Sequence, residues 1–81
     1  MEHYLETNDV FTFIKSIEHN DRIYEIYLDD YGQSYFIGYK DVITNKIEEI
    51  CCGTYCGYED TLEYIIKKQE RKLKNVQSKE N

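Results

Sequence analysis

Residues 22–40 read RIYEIYLDDYGQSYFIGYK, and this stretch decides the fold. Two runs rich in tyrosine and isoleucine flank the turn-forming pair Tyr31 and Gly32, which predicts an antiparallel hairpin with a tight turn. One face of that hairpin collects three apolar pairs: Leu28 with Tyr35, Ile26 with Ile37, and Tyr24 with Tyr39. The opposite face collects the remaining pairs: Tyr27 with Phe36, and Glu25 with Gly38.

A further strand is predicted on each side of this hairpin, at residues 10–18 before it and at residues 46–52 after it. We expect a three-residue turn at residues 19–21, because a two-residue turn puts the charge of Lys15 opposite Ile26 on the core face. The three-residue turn gives these pairs: Glu18 with Arg22, Ile14 with Ile26, and Lys15 with Glu25. Short turns between successive strands predict an antiparallel meander of three or four strands.

After residue 57 the periodicity becomes that of a helix. Apolar residues recur at spacings of three, four and seven and form one stripe, interrupted by Gln69. The stripe consists of Tyr58, Leu62, Ile65, Ile66, Leu73 and Val76. Acidic side chains in the first turn and basic ones in the later turns complement the helix dipole. The sequence therefore predicts a small α+β domain over residues 1–76, with one C-terminal helix packed on one face of the meander and a frayed polar tail at residues 77–81.

The charge of this 81-residue chain is distributed unevenly. Residues 1–60 hold 13 acidic and 4 basic side chains, a net charge of −9, whereas residues 61–81 hold 3 acidic and 6 basic ones, a net charge of +3. The negative part repels phosphate backbones, so we expect no direct binding to nucleic acid and favour a basic protein partner. The alternative is that the charge serves only to keep the protein in solution. The apolar runs are too short to span a membrane.

Three cysteines lie within the stretch ICCGTYCG at residues 50–57. Cys52 and Cys56 have a spacing that zinc sites use, but a structural zinc site takes four ligands and no second cysteine pair follows. We therefore favour a strand end followed by a glycine-containing turn, with no cofactor. A zinc-stabilised domain with ligands from Cys51, Cys52 and Cys56 is an alternative. The acidic N-terminus has no signal-peptide features, and three cysteines without a secretion signal indicate a reducing compartment and free thiols, so we expect the protein in the cytoplasm.

The sheet face opposite the helix is predicted to carry a row of aromatic side chains, Phe13, Tyr27 and Phe36. Clustered exposed aromatic rings mark an interface more often than chance, and carboxylates beside them suit a basic partner. The predicted partner-binding residues are Phe13, Glu25, Tyr27, Asp29, Asp30, Tyr31 and Phe36. Two alternatives stay open, since this face could be covered by the N-terminal segment at Tyr4 and Leu5 or by a second copy of the chain in a homodimer.

The chain shows no pattern typical of an enzyme. Adjacent carboxylates such as Glu48 and Glu49 lack a histidine or arginine at an interval that indicates a general acid and base. We therefore expect a non-enzymatic module that binds a basic protein surface through acidic and aromatic residues. The alternative is a sponge-like oligomer that binds a small molecule or a nucleotide.

In its size, its acidity and its sheet-plus-helix pattern, the chain resembles small proteins encoded by phages and mobile elements, among them anti-CRISPR proteins and other anti-defence inhibitors. The resemblance implies an inhibitor that binds a nucleic-acid-handling protein, and it assigns no residue. The pattern YFIGYK…IEEICCGTYCGYEDTLEYIIKK is also similar to small integrase arm-binding domains. Those domains need a basic sheet face to enter DNA, whereas the predicted sheet here is acidic.

Overall fold

The computed structural model describes residues 3–5, 11–29, 33–53 and 57–79, with side chains described as far as residue 75 in the last range. Within these residues the elements are β1 (Phe11–His19), β2 (Arg22–Asp29), β3 (Ser34–Lys40), β4 (Ile47–Gly53) and α1 (Gly57–Lys79). The strands pair antiparallel in the order β1-β2-β3-β4, and α1 packs on one face of this sheet. The protein therefore has the small α+β fold that the sequence predicts.

The register of the central hairpin is the predicted one. Across β2 and β3, Ile26 lies opposite Ile37 and Tyr27 lies opposite Phe36. The alternation of side chains along a strand then sends Ile26 toward the helix and Tyr27 to the opposite face, which we call the outer face. The register that the cross-strand apolar pairs predict for these two strands is therefore confirmed.

The β1–β2 hairpin has a shorter turn than the sequence predicts. His19 pairs with Arg22, so Asn20 and Asp21 alone form the turn. Their φ angles are positive, 51° and 64°, as in a type I′ turn, whose twist matches that of the flanking strands. Asparagine and aspartate tolerate this left-handed backbone better than other residues with a side chain. The expected pairing of Glu18 with Arg22 is therefore wrong by one residue.

The shorter turn places Lys15 opposite Ile26. We expected this pairing to be excluded, because it would cost free energy to put the charge of Lys15 on the core face. The structure avoids this cost because Lys15 is exposed on an edge strand and its Nζ lies 4.9 Å from the centre of the Tyr58 ring. A bulge between Phe13 and Lys15 then restores the outer-face position of Phe13. Ile14 is the extra residue of the bulge and is 43% exposed, so the expected pair of Ile14 with Ile26 is also wrong.

The core lies between the sheet and α1. Its buried residues are Tyr24, Ile26, Ile37, Tyr39, Cys52, Leu62 and Ile65. Full burial of one aliphatic side chain of this kind contributes about 1.5–3 kcal/mol to folding. Most of these residues belong to the predicted apolar face and helix stripe, so the binary pattern of the sequence places the core correctly.

The helix lies chiefly over β3 and β4. It begins at Gly57, whose φ of 68° is a left-handed conformation that glycine adopts without strain. It ends at Lys79, and the frayed tail that the sequence predicts at residues 77–81 stays a prediction. Among the described residues, no helix is both long enough and apolar enough to cross a bilayer.

Gln69 interrupts the apolar stripe of α1 because it anchors the connection between β3 and β4. Its side chain is buried, its Oε1 accepts a hydrogen bond from the backbone N–H of Val42 at 2.7 Å, and its Nε2 donates to Asp41 at 3.3 Å. The buried carboxylate of Asp41 also accepts hydrogen bonds from two backbone N–H groups of the same connection and forms an ion pair with Lys72 of α1. This network fixes an irregular segment to the helix.

Candidate interaction surfaces

An N-terminal segment, residues 3–5, lies on the outer face of the sheet. A Cβ atom built on Gly38 would lie 3.3 Å from Tyr4 Cβ and 3.4 Å from Leu5 Cγ, so the absence of a side chain there allows the close approach. The backbone N–H of Leu5 donates to the hydroxyl of Tyr27 at 3.1 Å, and that of Tyr4 donates to the carboxylate of Glu25. The arrangement in which Tyr4 and Leu5 cover this face is therefore the one observed.

Glu25 is the hydrogen-bonding centre of this contact. Its carboxylate accepts from the Tyr27 hydroxyl at 2.6 Å and from His3 Nδ1 at 3.0 Å, in addition to the backbone of Tyr4. Burial alone would raise the pKa of Glu25, but these hydrogen bonds outweigh it and hold the pKa below its ordinary value of 4.5. Burial and the hydrogen bond to Glu25 raise the pKa of Tyr27 to about 12. Both side chains are thus engaged by the chain itself.

The predicted aromatic row exists, but its centre is buried. Phe13, Tyr27 and Phe36 share the outer face, and the rings of Phe13 and Tyr27 lie 5.7 Å apart. His3 stacks on Phe13 at 4.0 Å. Tyr27 is 0% exposed and Glu25 is 5% exposed, so neither reaches the surface while the N-terminal segment stays in place. Phe13 and Phe36 are half-buried.

The remaining predicted partner-binding residues are Asp29, which ends β2, together with Asp30 and Tyr31. Asp29 is half-buried, and its Oδ1 accepts a hydrogen bond from the backbone N–H of Gln33 at 2.9 Å, which makes it a turn-stabilising residue. Asp30 and Tyr31 lie outside the described residues.

The cysteines of β4 point to opposite faces of the sheet. Cys52 is buried in the core, and its Sγ donates to the carbonyl of Tyr35 at 3.4 Å, whereas Cys51 is exposed on the outer face. Cys56 lies outside the described residues. Among the residues that the structure describes, no three histidine, cysteine, aspartate or glutamate side chains come together as a metal site. The geometry of β4 is that of a strand end entering the core.

A groove opens on the other side of the sheet, between the end of β1 and α1. Its volume is about 360 Å³, and it is lined by His19, Glu59, Leu62, Glu63, Ile66, Lys67 and Glu70. Leu62 and Ile66 lie one turn apart on α1 and form its apolar floor. This groove combines an apolar floor with several acidic side chains at the protein surface.

The polar side chains of the groove are partly paired with one another. Lys67 Nζ lies 3.0 Å from Glu63 Oε1 on the next turn of α1. Glu70 accepts from His19 Nε2 at 3.2 Å and from Asn20 Nδ2 at 3.1 Å, which links the helix to the first turn. Three carboxylates against one ammonium leave the groove with a net negative charge. Exposed ion pairs of this kind are weak, so a partner with its own cations can replace them.

Sequence reasoning missed the groove because its two walls are far apart in the chain. His19 and Glu70 are separated by 51 positions, and the sequence alone does not bring them together. The wall on α1 did leave a signal, since Glu59, Glu63 and Glu70 recur at helical spacing beside the apolar stripe.

Comparisons with known proteins add no relative. No family model, no curated protein and no solved structure matches the chain.

Proposed function

We propose that this protein is a non-enzymatic interaction module that binds a basic, amphipathic segment of a partner protein in the groove between β1 and α1. The observation that carries the proposal is the pairing of an apolar floor, Leu62 and Ile66, with the carboxylates of Glu59, Glu63 and Glu70. The net charge of −6 agrees in sign with a basic partner. The proposed binding site therefore lies on the helix side of the sheet, whereas the sequence predicts it on the outer face.

The floor and the carboxylates play different parts. A partner's apolar side chains gain burial against Leu62 and Ile66, at about 25 cal/mol for each Å² removed from water. The carboxylates speed the encounter with a cationic segment and select against acidic ones. A helix that lies in such a groove presents apolar anchors at spacings of three and four and basic residues beside them.

A basic partner of this kind is typical of proteins that handle nucleic acids, whose binding sites are rich in lysine and arginine. Occupation of such a site by an acidic protein would block the nucleic acid, which is the inhibitor role that the sequence resemblance implies. The proposal places this interaction in the cytoplasm, in keeping with the exposed thiol of Cys51.

The charge contribution is tested with a matched pair of variants, Glu59→Lys and Asp60→Lys. Both residues are exposed in the first turn of α1, and both changes alter the net charge and the helix dipole equally, but only Glu59 lines the groove. The probe is a fluorescent amphipathic helical peptide of leucine and lysine, with a leucine and glutamate peptide of the same pattern as its control. We expect Glu59→Lys to weaken binding about fivefold, roughly 1 kcal/mol, and Asp60→Lys to have a smaller effect.

The apolar contribution is tested with Ile66→Ser against Tyr64→Ser, since Tyr64 is 57% exposed and lies outside the groove. Fluorescence anisotropy gives the affinities, and thermal unfolding confirms that each variant is folded. Equal affinities for the two peptides, or equal losses for the groove variants and their controls, would refute the groove as the binding site.

A further inference from the structure

The two edge strands of the sheet differ in features that prevent pairing with another chain. β1 and β4 are the outer strands, each paired on one side only among the described residues. β1 carries a bulge next to Lys15, and bulges and lysines are two devices by which proteins prevent an edge strand from pairing with another chain.

β4 has neither device. Its register with β3 runs without interruption from the pair of Gly53 with Ser34 to the pair of Ile47 with Lys40. The strand contains no proline, lysine or arginine, and seven residues give it the length of an ordinary paired strand. Its outer backbone edge is therefore regular enough to accept a further strand.

The side chains along β4 indicate which strand would fit. Glu48 and Glu49 are exposed and point to opposite faces, and Glu48 also accepts a hydrogen bond from the Tyr39 hydroxyl at 3.5 Å. Ile47 is 50% exposed, and Cys51 is exposed on the same face as Ile47 and Glu49. Two adjacent carboxylates beside an exposed apolar residue match two adjacent cations beside apolar residues in an apposed strand.

We propose that the outer edge of β4 is a second docking surface, which accepts an extended segment of a partner protein containing two adjacent basic residues between β-branched residues. The main chain of that segment extends the sheet beyond β4, and its basic side chains lie opposite Glu48 and Glu49. A second copy of the chain fits less well, since β4 brings acidic side chains and no basic ones to the contact. This surface is separate from the groove and does not depend on it.

The test uses the full-length protein and a labelled peptide, Thr-Val-Lys-Arg-Val-Thr. We expect the peptide to slow hydrogen exchange of alternate amides of β4 by about tenfold at saturation, because only the outward-facing N–H groups gain partners. Two further peptides carry N-methyl groups at the odd or at the even positions. One of them should bind like the parent and the other should lose binding, since only alternate N–H groups of an added strand face the sheet.

Glu49→Lys is compared with Glu18→Lys, an equal charge change at an exposed position of the other edge strand. We expect Glu49→Lys to weaken peptide binding about fivefold and Glu18→Lys to weaken it less than about twofold. Equal losses for these variants, equal binding of both methylated peptides, or protection confined to groove amides would each overturn the proposal. Concentration-dependent protection of β4 without peptide would show that a second copy occupies the edge, and would overturn it as well.

Discussion

Asp41 and Glu25 have buried carboxylates, and each one binds an irregular segment of the chain to a neighbouring strand or helix. The two carboxylates lie on opposite sides of the sheet. Asp41 is 2% exposed and accepts hydrogen bonds from the backbone of the β3–β4 connection. Glu25 is 5% exposed and accepts one from the backbone of Tyr4. In both, a side-chain oxygen supplies backbone N–H groups with the partners that a strand or helix would otherwise provide.

The two carboxylates differ in what surrounds them. Asp41 is bound by Gln69 and Lys72, so it joins a connection between two strands to the helix that completes the core. Glu25 is bound by Tyr27 of its own strand and by His3 of the segment that it holds. Two similar buried carboxylates can therefore differ in how much of the structure they stabilise. We expect the loss of Asp41 to destabilise the whole fold and the loss of Glu25 to act mainly on the N-terminal segment.

The largest effect is expected for Asp41→Ala. This change leaves the backbone N–H groups of Ile43 and Thr44 without their acceptor and Lys72 without its counter-ion. Removal of one partner of a buried ion pair costs about 3–5 kcal/mol, and the lower end applies because Lys72 is partly exposed. Urea unfolding followed by circular dichroism measures the change. A loss below about 1 kcal/mol would mean that Asp41 is not a global anchor.

The dependence of stability on acid pH is a second test of the role of Asp41. Burial alone would raise the pKa of Asp41, but the hydrogen bonds and the ion pair with Lys72 hold it well below its ordinary value of 3.8. A carboxyl whose pKa is lowered on folding contributes stability that is fully present above its unfolded pKa and is lost as the pH falls toward its folded pKa. We therefore expect stability to fall as the pH drops below about 4. Asp41→Asn should make that fall shallower than in the unchanged protein.

A smaller and more local effect is expected for Glu25→Ala. The change leaves the Tyr27 hydroxyl and the Tyr4 backbone N–H without their acceptor, at a cost of about 1–2 kcal/mol. Hydrogen exchange should become faster at the amides of Tyr4 and Leu5, while exchange in β3 and α1 changes little. Uniformly faster exchange across the sheet would show that Glu25 is as global an anchor as Asp41.

The smallest effect is expected for Gly38→Ala. The added Cβ would lie 3.3 Å from Tyr4 Cβ, which is tight enough to push the N-terminal segment outward by a few tenths of an ångström. We expect a loss of less than about 1 kcal/mol together with faster exchange at Leu5. Gly53→Ala is the matched control, since nothing lies within 4 Å of a Cβ built there. Equal exchange at Leu5 in both variants would show that the contact at Gly38 is unimportant.

The sequence predicts some contacts well because they are local. The register of β2 and β3 follows from apolar pairs that a short turn joins, and the structure has those pairs. The register of β1 could not be predicted in the same way. Its turn differs from the predicted one because Lys15 stays exposed at the sheet edge, where its Nζ lies over the Tyr58 ring, and Tyr58 is 43 positions further along the chain.

The candidate sites show the same difference between local contacts and contacts that are distant in the chain. The sequence predicts that Phe13, Tyr27 and Phe36 share a face, and they do. It leaves open what covers that face, because the contact of Tyr4 and Leu5 depends on the glycine at position 38 and on two side chains of β2. The groove escaped sequence reasoning for a similar reason, as its walls come from β1 and α1.

The sequence by itself determined the meander, the amphipathic helix, the core positions and the acidic character of the first 60 residues. These follow from periodicity and composition, which act over a few residues at a time. Only the tertiary structure decided which charges are buried, which face is covered and where a groove opens. Those outcomes depend on distances between segments far apart in the chain, and such distances are set by the packing of α1 and the N-terminal segment on opposite faces of one sheet.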